Sequence, residues 1–207
     1  MAPSFAQEEA LWRRGWGRVA GVDEVGRGPL AGPVAAGAVI LSPDCDSPWL
    51  GRVRDSKQLT SAVRDELAAC IWREALAVSV GFVPQETIDR IGIAEATRQA
   101  MLQAVGDLRL RPQHLLIDAF PLPACSLPHT PIVHGDASCL SVACASIVAK
   151  VARDRLMVKQ DRCYGGYGFA SNKGYATAEH LQALRRLGPC QLHRRSFAPI
   201  RGMATSA

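Results

Sequence analysis

The stretch Gly21-Val-Asp-Glu-Val-Gly-Arg-Gly-Pro-Leu-Ala-Gly-Pro33 decides the fold, because it joins two apolar segments through a loop rich in glycine and proline. The apolar residues before the loop predict a buried β-strand over 18–23, and those after it predict a second strand over 34–41. The glycines and prolines between them favour a loop over any regular element. Two acids, Asp23 and Glu24, therefore stand where the first strand meets the loop.

Helical and strand-like patterns alternate along the rest of the chain. Apolar residues three and four positions apart, as in Val63, Leu67 and Ile71, are typical of an amphipathic helix. A long helix from 138 has a buried face rich in Ala, Ser and Cys, which predicts close packing against a neighbour. The alternation predicts an α/β fold with helices on the faces of a sheet. The predicted helices span 4–14, 60–76, 93–105, 138–159 and 177–187, with a short one from 84. The further strands span 77–83 and 114–118, 131–136 form another short strand or extended run, and 165–174 form a loop.

Composition places the chain among ordinary globular proteins of one or two domains. It has 207 residues, of which 48% are hydrophobic and 21% charged, so neither disorder nor a collagen-like repeat fits. The longest nearly apolar stretch, 29–41, is shorter than the roughly 18 residues that a membrane-spanning helix needs. Acids at Glu8 and Glu9 do not fit a signal peptide. We therefore expect a soluble, cytoplasmic protein without a membrane segment.

The cysteines predict reduced thiols. There are seven, an odd number, and no CxxC pair occurs among them. This spacing disfavours both a disulfide framework and a zinc site. Small core residues are the expected role for most of them.

The net charge of +5 lies at the C-terminal end. After the last acid, Glu179, the chain has no lysine and five arginines: Arg185, Arg186, Arg194, Arg195 and Arg201. A basic end on a neutral body is typical of a protein that binds a polyanion such as nucleic acid. A solvated basic tail explains the charge equally well, so both interpretations stay open on charge alone.

Four acids follow apolar segments, and this pattern points to chemistry. Asp23 and Glu24 end the first predicted strand, and Asp118 and Asp136 each end a later apolar run. Buried carboxylates without partners are costly and raise one another's pKa, so divalent cations between them would stabilise the cluster. Oxygen ligands of this kind suit Mg²⁺ or Mn²⁺. Two such ions held together can promote phosphodiester cleavage.

The alternative is that each acid caps a turn or pairs with an arginine. A regular strand also points adjacent side chains to opposite faces of its sheet. Asp23 and Glu24 can therefore reach one site only if the strand ends or bends there, and Gly26 provides for such a bend.

The loop also matches the dinucleotide-binding pattern GxGxxG/A at Gly26-Arg-Gly-Pro-Leu-Ala31. That fingerprint requires a helix that begins within the loop, whereas Pro29, Gly32 and Pro33 disfavour one and an apolar strand follows. The sequence therefore argues against a dinucleotide-dependent oxidoreductase. The loop is better suited to presenting backbone N–H groups and Arg27 to a phosphate or a sugar.

Residues 18–200 resemble the ribonuclease HII family, the type 2 ribonucleases H. The segment 21–33 is similar to that family's opening motif. Further similar segments follow in the same order: Asp55-Ser-Lys57 with Leu59, Leu116-Ile-Asp118, Gly135-Asp-Ala137, Ala145-Ser-Ile-Val-Ala-Lys150, Arg153-Asp-Arg155, Tyr167-Gly-Phe169, Lys173-Gly-Tyr175 and His193-Arg-Arg-Ser-Phe197. The resemblance implies a ribonuclease H-like mixed β-sheet flanked by helices, with a small helical C-terminal part. Residues 1–165 are then the catalytic core, and 166–207 are a basic, substrate-binding segment packed on it.

The resemblance implies an endonuclease that hydrolyses the RNA strand of RNA/DNA hybrids and cuts 5′ of single ribonucleotides embedded in duplex DNA. Cleavage would use two divalent metal ions, Mn²⁺ or Mg²⁺, and leave 5′-phosphate and 3′-hydroxyl ends. The residues that match the metal-binding and catalytic carboxylates are Asp23, Glu24, Asp118 and Asp136. Those that match substrate-binding positions are Gly26, Arg27 and Gly28 at the 2′-hydroxyl, Ser56 and Lys57 at a phosphate, and Tyr175 at the ribose–DNA junction with Lys173 beside it.

The chain departs from the family pattern at two positions. His134 stands where the family usually has Lys, and Asn172 stands where a His is common. Each departure is expected to act on substrate affinity or pH dependence, although a satisfied turn histidine also explains His134. A monomer is expected. The rival interpretation is a nucleic-acid-binding module without catalysis, against which the four intact acids argue.

Overall fold

The computed structural model describes residues 2–203 and contains a mixed, five-stranded sheet within them. The strands are β1 Val19–Val25, β2 Val34–Ile40, β3 Ala77–Val83, β4 His114–Asp118 and β5 His129–Ile132. Their order across the sheet is β3-β2-β1-β4-β5. Strands β1, β2 and β3 pair antiparallel, while β4 pairs parallel with both β1 and β5. The predicted α/β sheet is therefore confirmed, and the loop 26–33 joins β1 to β2 without a helix.

Helices cover both faces of the sheet. They are α1 Ala6–Trp12, α2 Ser61–Glu74, α3 Gln85–Ile91, α4 Ile93–Gly106, α5 Gly135–Ser138, α6 Leu140–Cys163, α7 Phe169–Asn172 and α8 Ala178–Leu187, with short 3-10 helices at Pro48–Arg52, Ser56–Gln58 and Ile200–Gly202. One core cluster packs α4 on the sheet, and another packs α2 and α6 on its other face. Strand β2 is buried along its whole length because both clusters cover it. None of the helices within 2–203 has the length and apolar character needed to cross a membrane.

Helix α6 lies unusually close to the centre of the sheet, as its small residues predict. A Cβ added at Gly21 would stand 2.1 Å from the carbonyl carbon of Ser141, and one at Gly37 would stand 2.3 Å from the carbonyl oxygen of Ala145. No real side chain fits at such distances. The glycines of β1 and β2 thus let the helix backbone approach the strands, and this approach fixes the height of α6 above the sheet.

The structure corrects the predicted path from β5 to α6. Asp136 does not end a strand: β5 stops at Ile132, and Asp136 lies in α5 after the left-handed turn at His134. The predicted long helix 138–159 is confirmed as α6, Leu140–Cys163, but it begins two residues later, because Cys139 is extended and separates α5 from α6. The cause is the N-terminal segment, in which the backbone of Ser4 hydrogen-bonds to residues on either side of Cys139.

Two smaller predictions also fail. The first helix begins at Ala6 rather than at Ser4; its N-cap residue, Phe5, makes no side-chain cap, and Oγ of Ser4 accepts a long hydrogen bond of 3.5 Å from the N–H of Ala6. The predicted loop 165–174 contains α7. By contrast, Thr60 and Thr177 cap α2 and α8 through their side-chain hydroxyls.

The C-terminal part packs on the loop that follows β1. Leu30 and Ala31 share one core cluster with Phe169, Leu184 and Ile200. This contact joins α7 and α8 to the loop rather than to the centre of the sheet. The division into 1–165 and 166–207 stays a prediction, and residues 204–207 of it lie outside the described part of the chain.

Gly21→Ala is expected to destabilise the protein by about 1–3 kcal/mol, because the new methyl group would force β1 and α6 apart. The matched control is Gly51→Ala, where nothing lies within 4 Å of the added Cβ; it is expected to stay within about 0.5 kcal/mol of the wild type. Urea unfolding measures both. Equal stability of the two variants would contradict the close approach of α6.

Candidate active site

Three carboxylates meet where β1 separates from β4. The pairing of β1 with β4 ends one residue before Asp23, whereas its pairing with β2 continues past Glu24. Asp118 is the last residue of β4 and faces the gap that opens there. One carboxylate oxygen each of Asp23, Glu24 and Asp118 lies within 4.8 Å of the other two. Strand β1 stays paired with β2 through Val25, so it does not end between Asp23 and Glu24, and their carboxylate oxygens meet where β4 no longer flanks β1.

Asp136 stands beside this group of three but outside it. Its Oδ2 accepts a hydrogen bond from Nζ of Lys57 at 3.1 Å. The backbone N–H of Gly135, its neighbour in α5, donates to Oδ1 of Asp118 at 2.7 Å. Helix α5 therefore joins the fourth acid to the end of β4, and the charge of Asp136 raises the pKa of both Asp23 and Asp118.

Burial and mutual repulsion dominate the electrostatics of the cluster. Burial raises the pKa of Asp23 well above its usual value, and the charge of Glu24 raises it further. Burial also raises the pKa of Glu24, although the neighbouring Arg27 partly opposes this. Burial raises the pKa of Asp118, against the opposing hydrogen bond from the Gly135 amide. In the absence of a cation, all three acids resist ionisation.

The cluster fits a hard divalent cation. Its donors are all carboxylate oxygens, the ligands that Mg²⁺ and Mn²⁺ prefer. Oε2 of Glu24 is buried and has no hydrogen-bond partner, so it is free to bind a cation. A cation would also relieve the repulsion that raises the three pKa values. Asp23, Glu24 and Asp118 would hold it, with Asp136 adjacent.

The loop after β1 is held from within by Arg194. This side chain is fully buried, and its guanidinium donates to the carbonyl oxygens of Gly26, Arg27 and Gly32 at 2.6, 2.8 and 2.9 Å. In a trans peptide, C=O and N–H point in opposite directions. The N–H groups of Arg27 and Gly28 therefore point away from Arg194.

A second buried arginine joins this loop to the C-terminal part. Arg153 of α6 donates to the carbonyl oxygens of Ala31, Pro33 and Lys173 at 3.1, 2.9 and 3.0 Å. Arg194 belongs to the basic C-terminal end, for which a polyanionic partner and a solvated tail were the two interpretations. Neither fits Arg194, because its guanidinium is enclosed and hydrogen-bonded to backbone carbonyls, as is that of Arg153.

The other predicted substrate residues surround the acids unevenly. A cavity of about 200 Å³ is lined by Asp23, Glu24, Val25, Gly26, Arg27, Ser56, Lys57, Asp118, Ser146, Lys150 and Tyr175. Ser56 is buried against Ser146, with 3.0 Å between their hydroxyl oxygens, whereas the side chain of Lys57 is largely exposed. Lys173 is not among the lining residues; it lies on an adjacent groove, where its ammonium group donates to the carbonyl of Ala170.

Tyr175 places an exposed ring at the edge of this cavity. Nζ of Lys150 lies 5.7 Å from the ring centroid, and the guanidinium carbon of Arg153 lies 5.9 Å from it. Cations at this distance favour the electron-rich ring face. Lys150 was not among the residues predicted to bind substrate, so its place at the cavity was missed from the sequence.

Comparison with known proteins identifies the family. The family model described as ribonuclease HII matches residues 20–200. The chain belongs to the ribonuclease HII family. It is therefore a metal-dependent ribonuclease H, an endonuclease that acts on the RNA of RNA/DNA hybrids, and the family predicted from the motifs is confirmed.

Individual relatives agree over nearly the whole chain. The chain is 54% identical over 193 residues to ribonuclease HII of Moorella thermoacetica, with 93% of this chain and 92% of that protein covered. It is 49% identical over 203 residues to ribonuclease HII of Dehalococcoides mccartyi, covering 98% of this chain and 96% of that protein. Its structure superimposes on the crystal structure of ribonuclease H2 from Pyrococcus horikoshii OT3 with a TM-score of 0.75 and 28% identity, over 89% of this chain and 96% of that one. The predicted ribonuclease H-like mixed sheet is confirmed.

The two departures from the ribonuclease HII pattern differ in structural role. Asn172 is buried; its amide donates to the carbonyl of Tyr167, and its Oδ1 accepts from the N–H of Gly174. It therefore shapes the turn that carries Tyr175. His134 is exposed in a left-handed turn, and its charge lowers the pKa of Asp118. Effects on substrate affinity stay predictions for both.

Asp23→Asn is expected to stabilise the metal-free protein at pH 7. The folded-state pKa of Asp23 is raised, so its contribution favours folding below the unfolded pKa of about 3.9 and is lost as the pH rises through the folded pKa. At pH 7 the wild type is therefore destabilised by the buried charge of Asp23, which asparagine removes. The difference in the free energy of unfolding between the two proteins shrinks toward pH 4, and urea unfolding in EDTA at both pH values measures this difference.

Asp44→Asn, at an exposed acid, is the control and should behave as the wild type does. Mn²⁺ at about 100 times its dissociation constant should then stabilise the wild type by about 2.7 kcal/mol and Asp23→Asn by much less. If Asp23→Asn is less stable than the wild type in EDTA at pH 7, the buried charge of Asp23 does not destabilise the metal-free protein.

Proposed function

We propose that this ribonuclease HII, besides cutting hybrids, cleaves duplex DNA on the 5′ side of a single embedded ribonucleotide. The products would carry 5′-phosphate and 3′-hydroxyl ends. The observation that carries the proposal is the close group of Asp23, Glu24 and Asp118, buried beside a loop whose N–H groups face outward. Two divalent cations, Mg²⁺ or Mn²⁺, would supply an activated water and stabilise the leaving oxygen.

Lys57 and Asp136 are proposed to act as a pair at the phosphate. Burial alone would lower the pKa of Lys57, but its hydrogen bond to Asp136 and the charge of that acid outweigh burial and raise it. The ammonium group therefore stays charged, and the side chain is exposed enough to meet a phosphate oxygen. Ser56, buried behind it, is proposed to hold the phosphate-binding segment in place through its contact with Ser146.

The Gly26-Arg27-Gly28 loop is proposed to distinguish ribose from deoxyribose. Sensing a 2′-hydroxyl requires hydrogen-bonding groups that approach the sugar closely. Glycine leaves room for this approach, and the inward carbonyls leave the N–H groups free on the outer side. Tyr175 would stack on the nucleotide at the ribose–DNA junction, because its ring is exposed at the cavity edge. Lys173 would support this contact from the adjacent groove.

A basic groove supplies the path for the rest of the duplex. It measures about 810 Å³, runs between α2, α6 and α7, and shares Lys150 and Tyr175 with the catalytic cavity. Its charged lining comprises Arg64, Lys150, Arg155, Lys159, Arg162 and Lys173 against Asp65 and Asp154. Two of the basic groups are paired with those two acids. The remaining positive charge favours a polyanion.

We place this activity in the cytoplasm and in a monomer. All seven cysteines are free, which fits a reducing compartment. The basic groove and the cavity are both built from one chain. The core 1–165 would carry the acids, and 166–207 would contribute Tyr175 and Lys173.

Asp118→Asn and Asp136→Asn are each expected to lower nicking by at least ~10³-fold, because each removes charge that the transition state requires. The substrate is a labelled DNA duplex with one ribonucleotide, incubated with Mg²⁺, with Mn²⁺ or with chelator. Asp44→Asn, at an exposed acid, is the matched control. Near-normal turnover by both variants would refute the proposed role, and metal-independent binding without nicking would favour the rival binding module.

Lys159→Ala and Arg162→Ala are each expected to weaken duplex binding and to reduce the slope of log affinity against log salt by about 0.9, as the loss of one phosphate contact requires. Both side chains are exposed on the groove. Arg14→Ala is the control, since Arg14 lies near His114, at the end of β4 away from Asp118. Binding is measured in the presence of a chelator, at salt concentrations from about 50 to about 200 mM. An unchanged slope in both groove variants would show that the duplex does not bind in this groove.

A further inference from the structure

Two buried histidines stand in line behind Tyr175, and the proposed mechanism gives them no role. His180 of α8 is fully buried, and His193 is 1% exposed. Their Nε2 atoms lie 3.1 Å apart. Nδ1 of His180 lies 2.7 Å from the carbonyl oxygen of Tyr175, and Nδ1 of His193 lies 3.0 Å from the backbone nitrogen of Cys190. The two rings thus join the Cys190 loop to the tyrosine backbone.

The hydrogen bonds admit one placement of the protons. The backbone N–H of Cys190 can only donate, so Nδ1 of His193 accepts and its proton lies on Nε2. That Nε2–H donates to Nε2 of His180, which must therefore be unprotonated. His180 then carries its proton on Nδ1 and donates it to the carbonyl of Tyr175, which can only accept. A second proton on either ring would set two N–H donors against each other.

The surroundings keep both rings neutral. Burial lowers the pKa of His193 to about 4, and burial lowers that of His180 as well. The rings pack against Tyr167 and Phe169. The neighbouring His180 and the cationic Arg195 lower the pKa of His193 further, against an opposing hydrogen bond to the backbone of Cys190.

Tyr175 is 40% exposed, so the place of its ring depends strongly on the place of its backbone. The carbonyl of Lys173 accepts from Arg153 at 3.0 Å, and that of Gly174 accepts from the N–H of Leu30 at 2.8 Å. The third successive carbonyl, that of Tyr175, accepts from Nδ1–H of His180 at 2.7 Å and from the N–H of Thr177 at 2.8 Å. The three successive carbonyl groups of this turn thus all accept hydrogen bonds from the protein interior.

We propose that His193 and His180 are positioning residues that hold Tyr175 in register with the nucleotide at the ribose–DNA junction. The inference rests on the proposed role of Tyr175 in ribonucleotide recognition. The two histidines are expected to affect cleavage only through the position of Tyr175. Neither histidine touches the acids or the substrate.

A double-mutant cycle between His180 and Tyr175 tests the proposal. His180→Leu should lower kcat/KM on the single-ribonucleotide duplex by about 10-fold in the wild-type background and by less than about 2-fold in a Tyr175→Ala background, because coupled residues are not additive. His180→Asn places an amide N–H where Nδ1–H stood and should restore most of the rate. Equal losses in both backgrounds would overturn the proposal.

Two substitutions at His193 separate positioning from simple loop support. His193→Gln keeps a donor at the place of Nε2 and loses the acceptor for the N–H of Cys190, whereas His193→Asn keeps that acceptor and loses the donor. The proposal predicts that His193→Asn slows ribonucleotide cleavage more than His193→Gln does. The reverse order would show that the histidine serves only the Cys190 loop.

Failures of the two proposals are distinguishable. A wild-type protein that never nicks the ribonucleotide duplex overturns the proposed function and with it this inference. A wild-type protein that nicks it while the cycle is additive overturns this inference alone. Thermal unfolding of each variant is recorded beside the rates, and if His180→Leu does not fold, the order of the two His193 variants decides.

Discussion

The parting of β1 from β4 is the constraint on which the rest of the structure depends. Strand β4 ends at Asp118, and Asp23 and Glu24 lie near the end of β1; in the gap between the strands, carboxylate oxygens of the three acids come within 4.8 Å of one another. Burying like charges together is unfavourable without a counter-ion. The acid cluster therefore lowers the stability of the fold until a cation relieves the repulsion between the carboxylates. Such a cost is expected at a functional site.

Close packing and buried arginines maintain that arrangement. Helix α6 reaches the sheet because Gly21 and Gly37 leave room for its backbone. The same helix contributes Arg153, which with Arg194 binds the carbonyls of the loop after β1. Guanidinium groups suit this task because they carry five fixed donors and stay charged. The acids, the loop and the C-terminal part are thereby held as one unit.

Much of the fold and of the acid cluster could be predicted from the sequence. Apolar runs located the strands, and apolar residues at helical spacing located α2. The path around Asp136 could not be predicted, because it depends on a long-range contact from Ser4 that no local pattern reveals. The burial of Arg153 and Arg194 could not be predicted for the same reason, since a charged residue in a sequence gives no sign that backbone carbonyls will surround it. The histidine pair behind Tyr175 could likewise be recognised only from the structure, because its two members come from separate segments of the chain.

The most direct measurement of the central claim is an anomalous-scattering map from crystals of the protein soaked in Mn²⁺. The account predicts a peak in contact with carboxylate oxygens of Asp23, Glu24 and Asp118, and no such peak in crystals of Asp118→Asn soaked in the same way. A peak elsewhere with this cluster empty, or equal occupancy in the variant, would contradict it.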